Sequence, residues 1–460
     1  MTKRIAIIGG GIAGVTAAYE LARSGAAVEA TLFEASPRLG GIVETVREGG
    51  FIIECGPDGW VTEKPWAAAL ARQLGLEDEL LPSNDATRKT YILQNGKLEA
   101  MPDGMRMMVP TNLEALEAST LFSEAAKQAY RDEPRRAAEL KAASPAEDES
   151  VASFVRRHFG GEVLRTVGAP LLSGVFGGDV ETLSVRAVMA PFVAMEREHG
   201  SLIAALQSRA NQQSASIFTS LRSGTATLID RMVAAIPPHW IRLSAAVTAM
   251  SHDASGWSIC TTARGAESFD KVFLAAPVDA ARTLLEPIDP AASSLMEMDA
   301  SSAVVVAFGF TDSYGIDLPP GFGFLAPVGS GSRLLACTFV DQKFDHRVPS
   351  GARLIRAFFG GATAKRLTNC GNDEAAAIAR LELARIIGPL PDAQVTAVRR
   401  WPRSLPQYAV GHPERMTQLD QRIKSLPGLT LLGNGYRGVG LPDLIRDATN
   451  AAQAAIIGPC

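Results

Sequence analysis

Cysteine is scarce and scattered. The five, Cys55, Cys260, Cys337, Cys370 and Cys460, are odd in number and form no CxxC pair, which argues against a disulfide framework or a structural zinc and for a reducing compartment. The six histidines are isolated too, so no metal site is expected and His158 and His412 read as core or surface residues. No apolar run reaches the roughly 18 residues of a membrane span. The opening MTKRIAIIGGG enters a strand without the apolar stretch and small-residue cleavage site of a secretion signal, so a cytoplasmic location is the expectation. A basic stripe is missing as well. The net charge of −4 speaks against a nucleic-acid partner, and any attachment to a membrane face has to be mainly apolar. What remains is the composition of a soluble enzyme, in 460 residues that call for two or three domains.

The densest stretch is KRIAIIGGGIAGVTAAYELARSGAAVEATLFEASPRLGG, residues 3–41. Ile5 to Ile8 form an apolar run suited to a buried parallel strand. Gly9, Gly11 and Gly14 follow as G-x-G-x-x-G, then an alanine-rich helix that Gly25 can end, then a second strand, Val28 to Phe33, closing at Glu34. Each part has its reason in a dinucleotide site. Gly9 allows the tight turn, Gly11 lets a pyrophosphate approach the backbone, Gly14 lets helix and strand pack closely, and Glu34 accepts from ribose hydroxyls. After Glu34 come Arg38, Gly40 and Gly41, a second glycine turn that can pass the same pyrophosphate with Arg38 adding charge. The chain then runs through GGFIIECGPDGWV, a strand and a Gly-Pro-Asp-Gly turn, where an NAD-type unit enters another helix.

The other end carries a second signature. LTLLGNGYRGVGLPDLIRDATNAAQAA reads as strand, glycine turn, proline and helix, and such a helix start presents unpaired N–H groups to an electron-rich ligand. Between the two ends, residues 101–206 read mainly helical. In DESVASFVRRHFG, Asp148 or Ser150 can cap, and Val151, Phe154, Val155 and His158 share a face. Residues 241–277 alternate strand and turn signals like a small antiparallel meander. SSAVVVAFGF, RLLACTFV, RLIRAFFGG and AQVTAVRRW predict a second, mostly antiparallel sheet, with a helix at DEAAAIARLELARII.

ECGPDGW, ESVASFVRRHFGGEVLRTVGAPLLSGVFGGDVETLS, GFGFLAP, KFDHRVP, LPQYAVGH and GNGYRGVGLPD span nearly the whole chain. With the N-terminal glycines they resemble the FAD-binding amine-oxidase superfamily, and within it the oxygen-dependent protoporphyrinogen oxidases. The resemblance implies an α/β fold in three parts. These are a discontinuous Rossmann-like FAD domain from 1–84, 207–299 and 396–460, a mixed, mostly antiparallel substrate sheet from 85–100 and 300–395, and a helical insertion, 101–206, that can rest on a membrane.

It further implies FAD contacts from Ala35, Gly56, Pro57, Asp58, Val247, Trp401 and Asn434, with Val439, Gly440 and Leu441 under the flavin ring and the helix after them facing the ring's N1 and O2. The substrate slot is implied to be lined by Phe322, Gly323, Leu325, Thr338 and Phe358, with Gly177 and Gly178 opposite and Thr90 at the start of TYILQNGKL. Many relatives have an arginine for a substrate propionate where this chain has Thr90, with Arg88 and Lys89 just before it. The implied reaction is a six-electron oxidation of protoporphyrinogen IX to protoporphyrin IX in haem synthesis, in three two-electron cycles that pass electrons to O2 as H2O2. Coproporphyrinogen III is the alternative substrate. An amine oxidase or polyene desaturase shares the FAD signatures, although only Tyr436 stands in the C-terminal motif where amine oxidases place part of an aromatic pair. A non-catalytic flavin-binding protein is the last alternative. No general base is identified by its spacing, and a homodimer is left open.

Overall fold

A computed structural model describes residues 2–209, 216–262, 265–311 and 315–457; Cys460 lies outside them. Five parallel strands form one sheet in the order Ile241–Arg242, Val28–Phe33, Lys3–Ile8, Lys271–Leu274, Leu429–Leu431. The central strand is covered on both faces. Ile5 and Ile7 point to helices Ile12–Arg23, Ala226–Ala235 and Leu441–Ile457. Ala6 and Ile8 point the other way, to the antiparallel meander Val247–Asp253, Gly256–Thr261, Glu267–Phe269 and helices Val278–Leu285 and His412–Ile423. This alternation on a fully buried strand explains why it reads as an unbroken apolar run.

A second sheet of seven strands runs Val395–Pro406, Ala300–Phe310, Arg353–Phe359, Ala336–Phe339, Gly323–Leu325, Thr90–Gln94, Lys97–Ala100. All its pairings are antiparallel except Gly323–Leu325 with Thr90–Gln94. One face is sealed by helices Gly361–Leu367 and Asn372–Ile387 over Phe324, Phe339, Ile355 and Phe359. The α/β class expected from the sequence is what the chain adopts. One boundary differs. The reading placed everything from 396 with the nucleotide-binding part, but Val395–Pro406 is the outer strand of the second sheet, paired from Gly309↔Val395 to Ala300↔Pro406. Its outer position leaves one edge unpaired, so its proline-containing, charged sequence is tolerated there.

The helices between 113 and 209 have their own core, built on Tyr130, Phe154, Val155, Phe159 and Leu172. Ser150 caps helix Val151–Val163 by accepting from the Ser153 N–H. Asp148 accepts instead from Gly411 N–H at 2.8 Å, tying this region to the segment before helix His412–Ile423.

Candidate cofactor and substrate site

The first glycine turn leaves little choice of residue. Gly9 has φ +112°, and a Cβ there meets Ala275 O at 2.5 Å; a Cβ on Gly14 meets Gly9 O at 1.9 Å. At Gly11, by contrast, a Cβ meets nothing within 4 Å. The chain is tight where packing demands it and open where a ligand would lie. The second glycine turn runs alongside: Gly40 N–H donates to Gly10 O at 2.8 Å, Gly11 and Gly40 form a parallel bridge, and a Cβ on Gly41 lies 3.2 Å from Gly11 Cα. Helix Ile12–Arg23 starts at Gly11 with no side-chain cap and no acidic residue in its first turn. These features fit a pyrophosphate.

Glu34 and Arg38 take more local roles than expected. Glu34 accepts from Gly10 N–H at 2.7 Å and Ser36 N–H at 2.8 Å, so its carboxylate holds the turn while keeping lone pairs for ribose hydroxyls. Ala35 is exposed next to it, and Val247 follows Ala245, whose N–H donates to Glu34 O. Arg38 does not point freely at an anion. Its guanidinium donates to Leu39, Gly41 and Val43 carbonyls, pairs with Glu44 at 3.2 Å and lies over Trp401. It braces the second turn.

Ladder register settles how the slot residues are related. Thr90, Gly323, Thr338 and Arg356 are successive cross-strand partners, as are Ile92, Leu325, Ala336, Phe358 and Val305. Thr90, Gly323, Leu325, Thr338 and Phe358 therefore share one face, opposite the face sealed by helices. Gly323 has φ +136° and no room for a Cβ, which would sit 1.9 Å from Cys337 O. Phe322 lies just before the strand, its N–H donating to Lys89 O. Leu325 packs toward the helical region, and Gly177 and Gly178 stand near the other end of the sheet. Gly177 O accepts from Ser301 Oγ at 2.6 Å, and Gly178 leaves a Cβ only 1.7 Å from Gln407 Oε1.

The same face grips the segment 44–58, which follows the two glycine turns. Trp401 Nε1 donates to Cys55 O at 2.7 Å, Arg399 pairs with Glu44 at 2.6 Å, and Arg356 donates to Gly56 O and lies 3.3 Å from Asp58. Gly56 packs too closely on Ile42 O, 1.9 Å from its would-be Cβ, to be any other residue. Pro57 O accepts from Thr225 Oγ1. Asp58 also takes Lys343 Nζ at 3.0 Å. Burial opposes its ionisation, but Lys343 and Arg356 outweigh that and hold its carboxyl at about 2. Beside it the fully buried Arg347 pairs with Glu54 at 3.2 Å and donates to Ser220 Oγ. Lys343, Arg347 and Arg356 were not among the candidates read from the sequence. The available signal was Arg356 itself, a charge inside the apolar run RLIRAFF, which a buried strand tolerates only with partners.

At the other end, Asn434 donates to Ser404 O at 2.8 Å, and the turn through Val439 and Gly440 leads into helix Leu441–Ile457. Leu441 is buried in the first core. The helix start differs from the expectation of a bare positive terminus. Asp443, 4 % exposed, occupies its first turn, 2.5 Å from Lys64 Nζ and 3.4 Å from Arg446. That carboxylate already answers part of the helix dipole. Tyr436 is a core residue whose hydroxyl is buried without a partner among the described residues, so it forms no cage wall.

Residues 12–456 match the family of flavin-containing amine oxidoreductases. The chain is 33% identical, over 99% of its length and 98% of the relative's, to the coproporphyrinogen III oxidase of Bacillus subtilis (strain 168). It is 26% identical, over 99% and 94%, to protoporphyrinogen oxidase 2, chloroplastic/mitochondrial, of Arabidopsis thaliana. A crystal structure from Exiguobacterium sp. 255-15, of a protein provisionally named protoporphyrinogen oxidase, superposes with a TM-score of 0.88 at 30% identity, covering 100% of both chains.

Proposed function

The chain belongs to the flavin-containing amine oxidoreductase family, whose cofactor is FAD, and on that premise we propose that it oxidises a porphyrinogen, with coproporphyrinogen III its preferred substrate. The observation that carries the reading is the single sheet face that displays Thr90, Gly323, Leu325, Thr338 and Phe358 and also grips Glu44, Cys55, Gly56 and Asp58. A flat, largely apolar wall is thereby held against the loops suited to the cofactor, as a saturated macrocycle needs in order to lie over a flavin.

Bound FAD supplies the two-electron chemistry, and O2 takes the electrons away as H2O2. Six electrons and six protons leave the porphyrinogen over three cycles. The protein's part is to orient the macrocycle and exclude water. Gly323 adds no side chain to the wall, and Phe358 gives it a ring face. Gly9, Gly11, Gly14, Gly40 and Gly41 hold the dinucleotide end, with Glu34 toward the ribose. Among the described residues, no carboxylate or imidazole on the face is placed as a base, and Asp58, held ionised between two cations, serves the junction.

The sequence expectation put protoporphyrinogen IX first. Two points reverse the order: the full-length relation to a coproporphyrinogen III oxidase at 33% identity, and Thr90 where an arginine would grip one propionate. Lys89 offers a different cation, being exposed at the end of the wall with its carbonyl accepting from Phe322 N–H. A substrate with four propionates spread round its rim suits such an open arrangement. Side-by-side aerobic turnover of both porphyrinogens, followed by porphyrin fluorescence and peroxide, is expected to favour coproporphyrinogen III, and Lys89→Ala to raise KM about tenfold with little change in kcat. Preference for protoporphyrinogen IX overturns the substrate choice; oxidation of neither overturns the porphyrinogen reading.

A further inference from the structure

LPQYAVGH, residues 405–412, is a motif of the sequence that the wall and the glycine turns do not use. It is a strap between them. On one side Ser184 N–H donates to Tyr408 O at 2.7 Å, Val410 N–H donates to Thr182 O at 2.9 Å, and Leu183 bridges Ala409. Gln407 Nε2 reaches Phe176 O at 2.7 Å. The strap is thus fastened to the loop that carries Gly177 and Gly178.

On its other side the strap reaches the C-terminal glycine turn through side chains. Tyr408, 2 % exposed, donates its hydroxyl proton to Asn434 O at 2.6 Å and accepts from Gly438 N–H at 3.1 Å. One oxygen atom joins two backbone groups four residues apart, immediately before Val439 and Gly440. The ring is stacked on His412, with centroids 4.0 Å apart and planes 10° apart. His412 in turn bonds Tyr436 O through Nε2 at 3.1 Å. Burial depresses the His412 pKa to about 4, so the imidazole is neutral and Nε2 carries the proton it donates. Burial raises the Tyr408 phenol, which therefore keeps its proton for Asn434.

We propose that Tyr408 is a positioning residue for the flavin: its hydroxyl sets the path of residues 434–438 and so the placement of Val439 and Gly440 against the ring. The inference rests on FAD lying along that turn. Asn434, Tyr436 and Arg437 anchor the turn outward, to Ser404 O, the core and Asp420, but Gly438, at φ +150°, has no side chain and adopts a conformation few residues hold. The Tyr408 hydroxyl, bonded at both Asn434 O and Gly438 N–H, fixes the turn's backbone just before Val439. Because the strap is also tied to the 177–184 loop, the slot's helical wall and the flavin's turn share a brace.

The test is FAD affinity by flavin fluorescence quenching, together with the visible absorption band and midpoint potential of the bound flavin. Tyr408→Phe keeps ring and stack and removes only the two bonds. It is expected to weaken FAD binding about tenfold and to shift both band and potential. Tyr130→Phe is the control. It removes another buried tyrosine hydroxyl bond, to Met108 O at 2.9 Å inside the helical core, and should leave all three readouts at wild-type values. Wild-type readouts in Tyr408→Phe, or equal losses in both variants, overturn the proposal. Should Tyr408→Phe not fold, His412→Gln is read the same way: weakened binding with a shifted band supports the strap, wild-type values overturn it.

Gly440→Leu separates this inference from its premise. A Cβ at Gly440 meets the Asp443 carboxylate at 3.3 Å and Pro442 at 3.6 Å, so Asp443 has to give by a few tenths of an ångström, and an unchanged denaturation midpoint is the check that the fold has accepted the side chain. Retained FAD binding in Gly440→Leu overturns the placement of the flavin. Loss there with wild-type readouts in Tyr408→Phe overturns the role of Tyr408 alone.

Discussion

Two buried charge clusters in the protein are built from different cations. At the junction of the two sheets, Lys343, Arg347 and Arg356 meet Glu54 and Asp58. In the helical region, His158 lies between two glutamates, with Nδ1 3.0 Å from Glu133 and Nε2 3.0 Å from Glu196. Arg157 bridges Glu196 and Glu149 beside it, Arg136 lies near Glu133, and Ser144 and Ser201 donate to the two glutamates. The rings of Phe154 and Phe159 close the space around the imidazole. A guanidinium keeps its charge at every pH a protein survives, whereas an imidazole does not. The junction between the two sheets therefore holds its charges across the neutral range, whereas the His158 site does not.

Removing a cation from the junction is the largest break. Arg347→Met leaves Glu54 without its charged partner in a fully buried site and should cost about 3–5 kcal/mol, read as a lower denaturation midpoint at unchanged slope. Glu54 also accepts from Thr225 N–H, Thr225 Oγ1 and Thr45 Oγ1, so a loss near zero would mean that these bonds alone satisfy it.

Changing pH is the next. Burial disfavours charge on His158, but Glu133 and Glu196 outweigh it and raise its pKa above the ordinary 6.5. The folded state binds the proton more tightly than the unfolded, so this stabilisation is complete below about 6.5 and is lost as pH rises through the folded value. Asp58 has the opposite sign. Its pKa falls from 3.8 to about 2, so its contribution is present above about 4 and is lost only as pH falls through about 2. Local opening followed by amide exchange from pH 6 to 9, corrected for the intrinsic rate, should increase at the alkaline end in helix Val151–Val163. Strand Arg353–Phe359 should respond flatly over the same range. His158→Gln should flatten the helix response too.

The smallest effect sharpens the separation. Ser150→Ala removes the cap of the helix that carries His158 and should cost about 1 kcal/mol. The loss is expected in exchange from the helical region, with Arg353–Phe359 unchanged; an equal loss in both would mean that the two regions open together.

The clusters also show what sequence reading can and cannot reach. The first glycine turn was legible because Gly9, Gly11 and Gly14 answer local demands of conformation and space, and those demands sit within a few residues of one another. Ser150 as a cap and the buried face of Val151, Phe154, Val155 and His158 were legible for the same reason. The slot residues came from family resemblance, and the strand register accounts for Thr90, Gly323, Leu325, Thr338 and Phe358 sharing one face. The junction was not legible: Lys343 meets Asp58 across 285 positions and Arg347 meets Glu54 across 293, and no local pattern encodes such a pairing. Arg38 misled because its type suits an anion while its neighbours' carbonyls claim it. The boundary at 396 cut through AQVTAVRRW, a run already legible as a strand of the second sheet; that strand continues to Pro406 through residues rich in arginine and proline, which carry no strand signal of their own.

The most direct test of the account is an anaerobic single turnover. The purified, FAD-loaded protein is mixed with coproporphyrinogen III without O2, and the visible flavin absorption is followed with porphyrin fluorescence. Rapid bleaching of the flavin is expected without porphyrin, because one flavin takes only two of the six electrons, with colour returning and porphyrin forming once air is admitted. A flavin that keeps its colour in excess coproporphyrinogen III and protoporphyrinogen IX alike would contradict it.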